Sequence, residues 1–155
     1  MHHIGGAPAL CAVLRPRGFS LIETMIALVV VSVFAGVAYP SFVQLLRKAR
    51  RGDAIMALLD IQQAQERWRA NAPSYGTLEE LGIAATTDGG AYRLSIAVHD
   101  PVSYAASAEA VGKQASDTAC RFLELAWSGG YTAQASGPDA DVRNDHDANR
   151  RCWNR

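Results

Sequence analysis

The sequence lacks any net charge. Its 155 residues contain 15 lysines and arginines and 15 aspartates and glutamates, so the formal charge at pH 7 is zero. Proteins that bind nucleic acids electrostatically usually carry a basic excess, and overall charge therefore provides no argument for such a partner. Hydrophobic residues make up 49% of the chain, which is ordinary for a folded protein and argues against disorder.

Catalytic motifs are also lacking. The chain contains no G-x-S-x-G, P-loop, H-E-x-x-H or paired C-x-x-C sequence. His99 and His146 are isolated, and we expect both to be surface residues. The sequence therefore predicts no enzymatic activity, no catalytic residue, no metal site and no cofactor.

One acidic segment, residues 139–149, has carboxylates at alternating positions, as calcium-binding loops do. Arg143 occupies a position where an EF-hand has a ligand, and the central glycine of that motif is missing. A solvated acidic loop is therefore the favoured interpretation, and calcium binding is the alternative.

Charged side chains are almost absent from residues 19–43, where Glu23 is the only one. Residues 19–39 would span about 31 Å as a helix, enough to cross the hydrocarbon core of a bilayer. A carboxylate in such a segment costs on the order of a few kcal/mol, so we expect it to have a cationic partner. Cleavage after Gly18 would create one, since the new amino group of Phe19 would lie about one helical turn from Glu23.

The residues around this glutamate form a recognisable motif. They are Arg17-Gly18-Phe19-Ser20-Leu21-Ile22-Glu23, with a proline at Pro40. This run resembles the processing site of the type IV pilin (prepilin) family. The resemblance implies that a prepilin peptidase cleaves between Gly18 and Phe19 and methylates the new amine. It also implies that Glu23 docks against Phe19 of a neighbouring subunit and that Pro40 kinks the helix.

Beyond the apolar segment, the pattern predicts that the helix continues to about Asn71. Apolar residues recur there at three- and four-residue spacing, at Ala54, Ala57, Ile61, Ala64 and Trp68. Four cations precede this stripe, at Arg47, Lys48, Arg50 and Arg51. A solvated helix face is the favoured interpretation of the four, with a phospholipid-facing surface as the alternative.

Alternating apolar residues predict four strands, at 92–98, 103–108, 120–127 and 131–136, with a hairpin turn at Gly129-Gly130. The predicted class is α+β: a type IV pilin fold in which the long helix packs on a four-stranded antiparallel sheet. Residues 137–155 show no periodicity and are predicted to lack secondary structure. The expected parts are a cleaved leader (1–18), a membrane or filament-core helix (19–43), its amphipathic half (44–71) and a globular domain (72–155).

Cysteine is scarce, with three residues in the chain. Cys11 would leave with the leader, and Cys120 and Cys152 would remain in the exported part. An even pair in an oxidising compartment favours one disulfide, which would close the C-terminal region as a loop. Two free buried thiols are the alternative.

The C-terminal half resembles, more specifically, the minor pilins of the PilE type. These share a Gln-x-x-Asp-x-x-Cys-x-x-Leu-x-Leu pattern and a terminal Cys-Trp. The matching residues here are Gln114, Asp117, Cys120, Leu123, Leu125, Cys152 and Trp153. The DNA-receptor pilins of natural transformation have the same Cys-Trp ending, and the motif does not separate the two kinds.

A small basic and aromatic patch lies at the C-terminus, formed by Arg143, Arg150, Arg151, Trp153 and Arg155. Arginine neutralises phosphate and tryptophan stacks on bases, so contact with DNA is one interpretation. The favoured interpretation is a solvated tail in which Trp153 packs over the disulfide.

The resemblance implies a minor pilin that acts in assembly of a type IV pilus or of its initiating tip complex. The alternatives are a DNA-binding competence pilin and a type II secretion pseudopilin. Implied partners are other major and minor pilins, the prepilin peptidase, the inner-membrane assembly platform and, before assembly, membrane lipid. The expected location is the inner membrane, in a single pass with a periplasmic C-terminus, and then the extracellular pilus.

Overall fold

A computed structural model describes residues 18–153. The predicted leader, apart from Gly18, and the predicted DNA contact Arg155 lie outside these residues. The chain divides into two compact units, one ending at Tyr39 and the other spanning Pro40–Arg155. The boundaries predicted at residues 18, 43 and 71 stay predictions.

Helix α1 comprises Leu21–Arg69. It is the one helix among residues 18–153 that is long and apolar enough to cross a membrane. Most of the large apolar side chains that the structure describes between Leu21 and Leu46 are exposed. Pro40 lies inside α1, which is assigned as helix on both sides of the proline. The kink predicted at Pro40 stays a prediction.

The sheet is an antiparallel meander of four strands in the order β1-β2-β3-β4. The strands are β1 Tyr92–Asp100, β2 Ser103–Ala110, β3 Phe122–Ser128 and β4 Tyr131–Gly137. Gly129 and Gly130 form the β3–β4 turn with φ angles of 58° and 87°, a backbone region that glycine adopts without steric cost. The predicted α+β class and the predicted hairpin are confirmed.

The core lies between the second half of α1 and one face of the sheet. Ala54 and Ile61 are fully buried, as the predicted stripe requires, but Ala57, Ala64 and Trp68 are only partly buried. Leu58 and Gln65 take the central positions instead. The buried face of α1 therefore lies slightly around the helix from the predicted apolar stripe. The prediction counted only apolar residues and so left out the polar Gln65.

Gln65 has its place in the core because it holds the loop that follows α1. Its side-chain amide donates to the carbonyl of Gly76 (2.6 Å) and accepts from the Gly76 N–H (2.9 Å). A buried amide that forms both bonds leaves no desolvated polar group on either side. The next turn is closed by Thr77 and Glu80, whose backbone and side-chain groups bond reciprocally.

Helix α2, His146–Cys152, lies in the region that was predicted to lack secondary structure, and that prediction was wrong. Asp145 caps the helix, since its Oδ1 accepts from the N–H of Ala148 (2.8 Å). The helix has no apolar stripe, so the periodicity test could not find it. The capping aspartate, followed by Arg150 and Arg151 in the last turn, was the available signal.

Candidate functional site

The N-terminal part of α1 is a long exposed apolar surface that carries a single carboxylate. Phe19 is 84% exposed, and the large apolar side chains from Leu21 to Phe34 are also exposed. Glu23 lies in the first turn of α1 and takes part in no ion pair among residues 18–153. An apolar helical surface of this length is stable in a bilayer or against other apolar helices, but not in water.

A buried ion pair joins α1 to the segment before β3. Arg51 Nε lies 2.6 Å from Asp117 Oδ2, and Arg51 Nη2 lies 3.1 Å from Asp117 Oδ1. Both side chains are buried, with 11% and 7% of their surfaces exposed. The remaining guanidinium nitrogen, Nη1, donates to the carbonyl of Arg151 at the end of α2 (3.1 Å). Arg51 therefore holds three parts of the chain together, and the interpretation of Arg51 as solvated was wrong.

Gln114 extends this polar network into the sheet. Its Nε2 lies within hydrogen-bonding distance of Tyr92 Oη (3.1 Å), Asp117 Oδ2 (3.2 Å) and the carbonyl of Arg47 (3.3 Å). Burial raises the pKa of Tyr92 to about 12, and the nearby carboxylate of Asp117 acts in the same direction. The Tyr92 hydroxyl therefore stays neutral at any physiological pH.

The Gln-x-x-Asp-x-x-Cys pattern thus has a structural explanation. Two short 3-10 turns, Gly112–Ser116 and Thr118–Cys120, flank Asp117 and bring Gln114, Asp117 and Cys120 into the interior. Sequence reasoning missed their partners Arg51 and Tyr92 as members of the same network. The signal for Arg51 was its spacing, because it lies three residues before Ala54 and in register with the buried face of α1.

Cys120 and Cys152 form a disulfide, with their Cα atoms 5.5 Å apart. The predicted bridge is confirmed, and the alternative of two free thiols was wrong. The bond attaches the last turn of α2 to the turn that leads into β3.

The C-terminal patch does not form one surface. Trp153 is only 5% exposed, and its indole Nε1 donates to the carbonyl of Ala135 (3.2 Å). It belongs to the same core cluster as the disulfide, so a base cannot stack on it, and the predicted DNA contact at Trp153 is corrected on that ground. Arg150 and Arg151 are exposed, and Arg150 Nη2 lies 3.4 Å from Asp147 Oδ1.

The acidic carboxylates of residues 139–149 have local structural roles. Asp139 accepts from the N–H of Asp141, Asp145 caps α2, and Asp147 pairs with Arg150. Within residues 18–153, no three acidic, histidine or cysteine side chains are placed to hold a metal ion together.

Comparisons with known proteins cover both parts of the chain. Residues 14–39 match the model of the prokaryotic N-terminal methylation motif. Residues 40–124 match the model described as type IV minor pilin ComP, DNA uptake sequence receptor. That second match ends within β3, so β4 and α2 lie outside it.

One curated relative is similar over part of its length. The chain is 30% identical to the type IV major pilin protein PilA of Myxococcus xanthus (strain DK1622) over 88 residues. The aligned region is 56% of this chain and 40% of that protein, so the similarity spans about two fifths of the relative.

Proposed function

Because the chain belongs to the family of the type IV minor pilin ComP, we propose that it is a structural subunit of a type IV pilus or of its initiating tip complex. A prepilin peptidase removes residues 1–18 and methylates Phe19. The protein then resides in the inner membrane with its C-terminus in the periplasm. From there the assembly platform transfers it to other major and minor pilins in the extracellular pilus.

The observation that carries this proposal is the exposed apolar part of α1 with its single carboxylate. A bilayer keeps this apolar surface out of water before assembly, and the apolar helices of neighbouring subunits cover it afterwards. Glu23 then pairs with the amino group of Phe19 on a neighbouring subunit. This pairing selects the register, because a displaced subunit leaves one charge buried without a partner. The role is structural rather than catalytic.

Replacing Glu23 with glutamine tests the docking role. Membrane levels should equal or exceed those of the wild type, since the substitution removes a charge that opposes insertion. Incorporation into sheared pili should fall by at least about tenfold, because the ammonium of the neighbouring subunit loses its partner in apolar surroundings. Immunoblots of the membrane and sheared-pilus fractions measure both quantities.

Glu66→Gln is the matched control, because Glu66 is an exposed carboxylate on the amphipathic half of α1. It should leave both fractions unchanged. Wild-type amounts of Glu23→Gln in sheared pili would show that Glu23 has no docking role.

A second candidate function is DNA binding during natural transformation, and the matching family, described as a DNA uptake sequence receptor, favours it. The exposed guanidinium groups of Arg150 and Arg151 are the phosphate contacts proposed from the sequence. Trp153 has no part in this role, because it is buried.

Duplex binding by the detergent-solubilised chain, measured at several salt concentrations, tests this second function. Arg150→Gln/Arg151→Gln should weaken binding and reduce the slope of log K against log salt by about 0.9 for each lost phosphate contact. Arg67→Gln/Arg93→Gln removes the same charge from elsewhere on the surface and serves as the control. An identical slope in the two double variants would exclude Arg150 and Arg151 as contacts.

A further inference from the structure

Cations lie on three segments that hydrogen bonds join: α1 just after its apolar part, the first 3-10 turn and α2. We call them the basic cluster: Arg47, Lys48 and Arg50 of α1, Lys113 of the first 3-10 turn and Arg151 of α2. Lys48, Lys113 and Arg151 are exposed, and Arg47 and Arg50 are partly buried.

Hydrogen bonds bring these segments together. Arg47 Nη2 donates to Ser116 Oγ (2.9 Å), and the same hydroxyl donates to the carbonyl of Lys113 (2.8 Å). Arg51 Nη1 donates to the carbonyl of Arg151 (3.1 Å). The cluster is therefore built by the fold, since Lys113 and Arg151 are far from α1 in sequence.

The basic cluster lacks close acidic partners within the residues that the structure describes. Asp117, the carboxylate nearest to it in the network, is already paired with Arg51. None of the ion pairs within residues 18–153 involves a member of the cluster. Residues 19–155 contain 13 cations and 15 acids, so without the cluster 8 cations face 15 acids. Outside the basic cluster, residues 19–155 therefore have an excess of seven acidic residues.

The cluster also has a defined position along α1. The exposed apolar side chains continue to Leu46, and Arg47 follows immediately. Residues 19–39 alone would span about 31 Å as a helix, enough for the roughly 30 Å hydrocarbon core, and Arg47 follows Tyr39 by eight residues in sequence. Lysines and arginines beside a membrane span usually lie on the cytoplasmic side. In the orientation proposed above this cluster lies on the opposite side, where anionic headgroups would offset its charge.

We propose that the basic cluster binds the phosphodiester headgroups of anionic phospholipids at the periplasmic surface of the membrane before assembly. The proposal rests on the membrane-anchored stage of the proposed function. DNA offers the same phosphodiester chemistry, but the cluster adjoins the apolar segment on the same helix. In an anchored chain this position places it at the headgroups, which favours lipid as the occupant.

Lipid selectivity of the full mature chain, residues 19–155, tests the proposal. The protein is reconstituted into phosphatidylcholine vesicles that contain traces of spin-labelled phosphatidylglycerol or spin-labelled phosphatidylcholine. Electron paramagnetic resonance then gives the association constant of each lipid relative to the other. We expect a preference for phosphatidylglycerol that disappears at about 1 M salt, where the Debye length is about 3 Å.

Two double variants separate the fold-built cluster from the helix alone. Lys48→Gln/Arg50→Gln and Lys113→Gln/Arg151→Gln should each reduce the preference, at most about fivefold for each cation removed. Arg67→Gln/Arg93→Gln, which removes two arginines outside the cluster, should leave it unchanged.

Three results would overturn the proposal. The first is equal association of the two lipids with the wild type. The second is a preference that Lys113→Gln/Arg151→Gln leaves intact, since the cluster would then not act as a unit. The third is unchanged lipid selectivity together with weaker duplex binding in both cluster variants, which would assign the surface to DNA. If the chain did not remain with the vesicles, the proposed membrane-anchored stage would be contradicted. If it remained but showed no lipid selectivity, only the proposed lipid binding by the basic cluster would be contradicted.

Discussion

Replacing Asp117 with alanine is expected to lower the free energy of unfolding of the globular unit by about 3–5 kcal/mol. The substitution leaves the guanidinium of Arg51 buried without its carboxylate, and such an unpaired charge costs far more than the pair contributes. Guanidinium unfolding of the mature chain in detergent, followed by tryptophan fluorescence, measures the loss. The three tryptophans, Trp68, Trp127 and Trp153, all lie in that unit, so the signal reports on it alone.

The double variant Arg51→Met/Asp117→Leu is the control for this prediction. It removes both charges and replaces them with apolar groups of comparable size, so it should recover most of the lost stability. A double variant as unstable as Asp117→Ala would show that packing, rather than an unpaired charge, accounts for the effect. A change below about 1 kcal/mol in Asp117→Ala, the range of exposed pairs, would show that water reaches Arg51.

Removing the disulfide is the second change with a large expected effect. Cys120→Ala/Cys152→Ala should destabilise the globular unit by about 3–4 kcal/mol, because the bridge closes a long loop, with a sequence separation of 32. The loss should also release α2, so that Trp153 becomes exposed and its emission shifts to the red before global unfolding. The same fluorescence titration measures both effects.

Reduction of the wild-type protein gives an independent measurement of the bridge. Reductant should lower the unfolding midpoint toward that of the double alanine variant, and alkylation followed by mass spectrometry should find labelled thiols only after reduction. An unfolding midpoint that is insensitive to reductant would contradict a stabilising role for the bridge.

The features that could be predicted from the sequence are those marked by a repeating pattern or by a short, recognisable motif. Alternation located the four strands to within a few residues, and the glycines at 129 and 130 located the hairpin. The even cysteine pair gave the disulfide, because two thiols in an oxidising compartment allow one pairing. The processing motif gave the family, since its residues are contiguous.

The features that the sequence did not reveal depend on which distant residues meet. Arg51 was interpreted as solvated because charged residues usually are, and its burial is explained only by Asp117, 66 residues later. Neighbours in sequence also diverge in space: Arg151 is exposed while Trp153, two residues on, is buried. The docking role of Glu23 and the kink at Pro40 involve a membrane or neighbouring subunits, so they stay predictions.

The long sequence separations at Arg51 constrain when the globular unit can fold during synthesis. Its carboxylate partner lies 66 residues later and its carbonyl partner, on Arg151, 100 residues later. Synthesis proceeds from the N-terminus, so α1 is made long before either partner exists. The globular unit therefore completes its interior only after nearly the whole chain has been synthesised. A chain that ends before Asp117 would leave the guanidinium of Arg51 without its carboxylate, so an incomplete chain would differ from the finished protein at this helix.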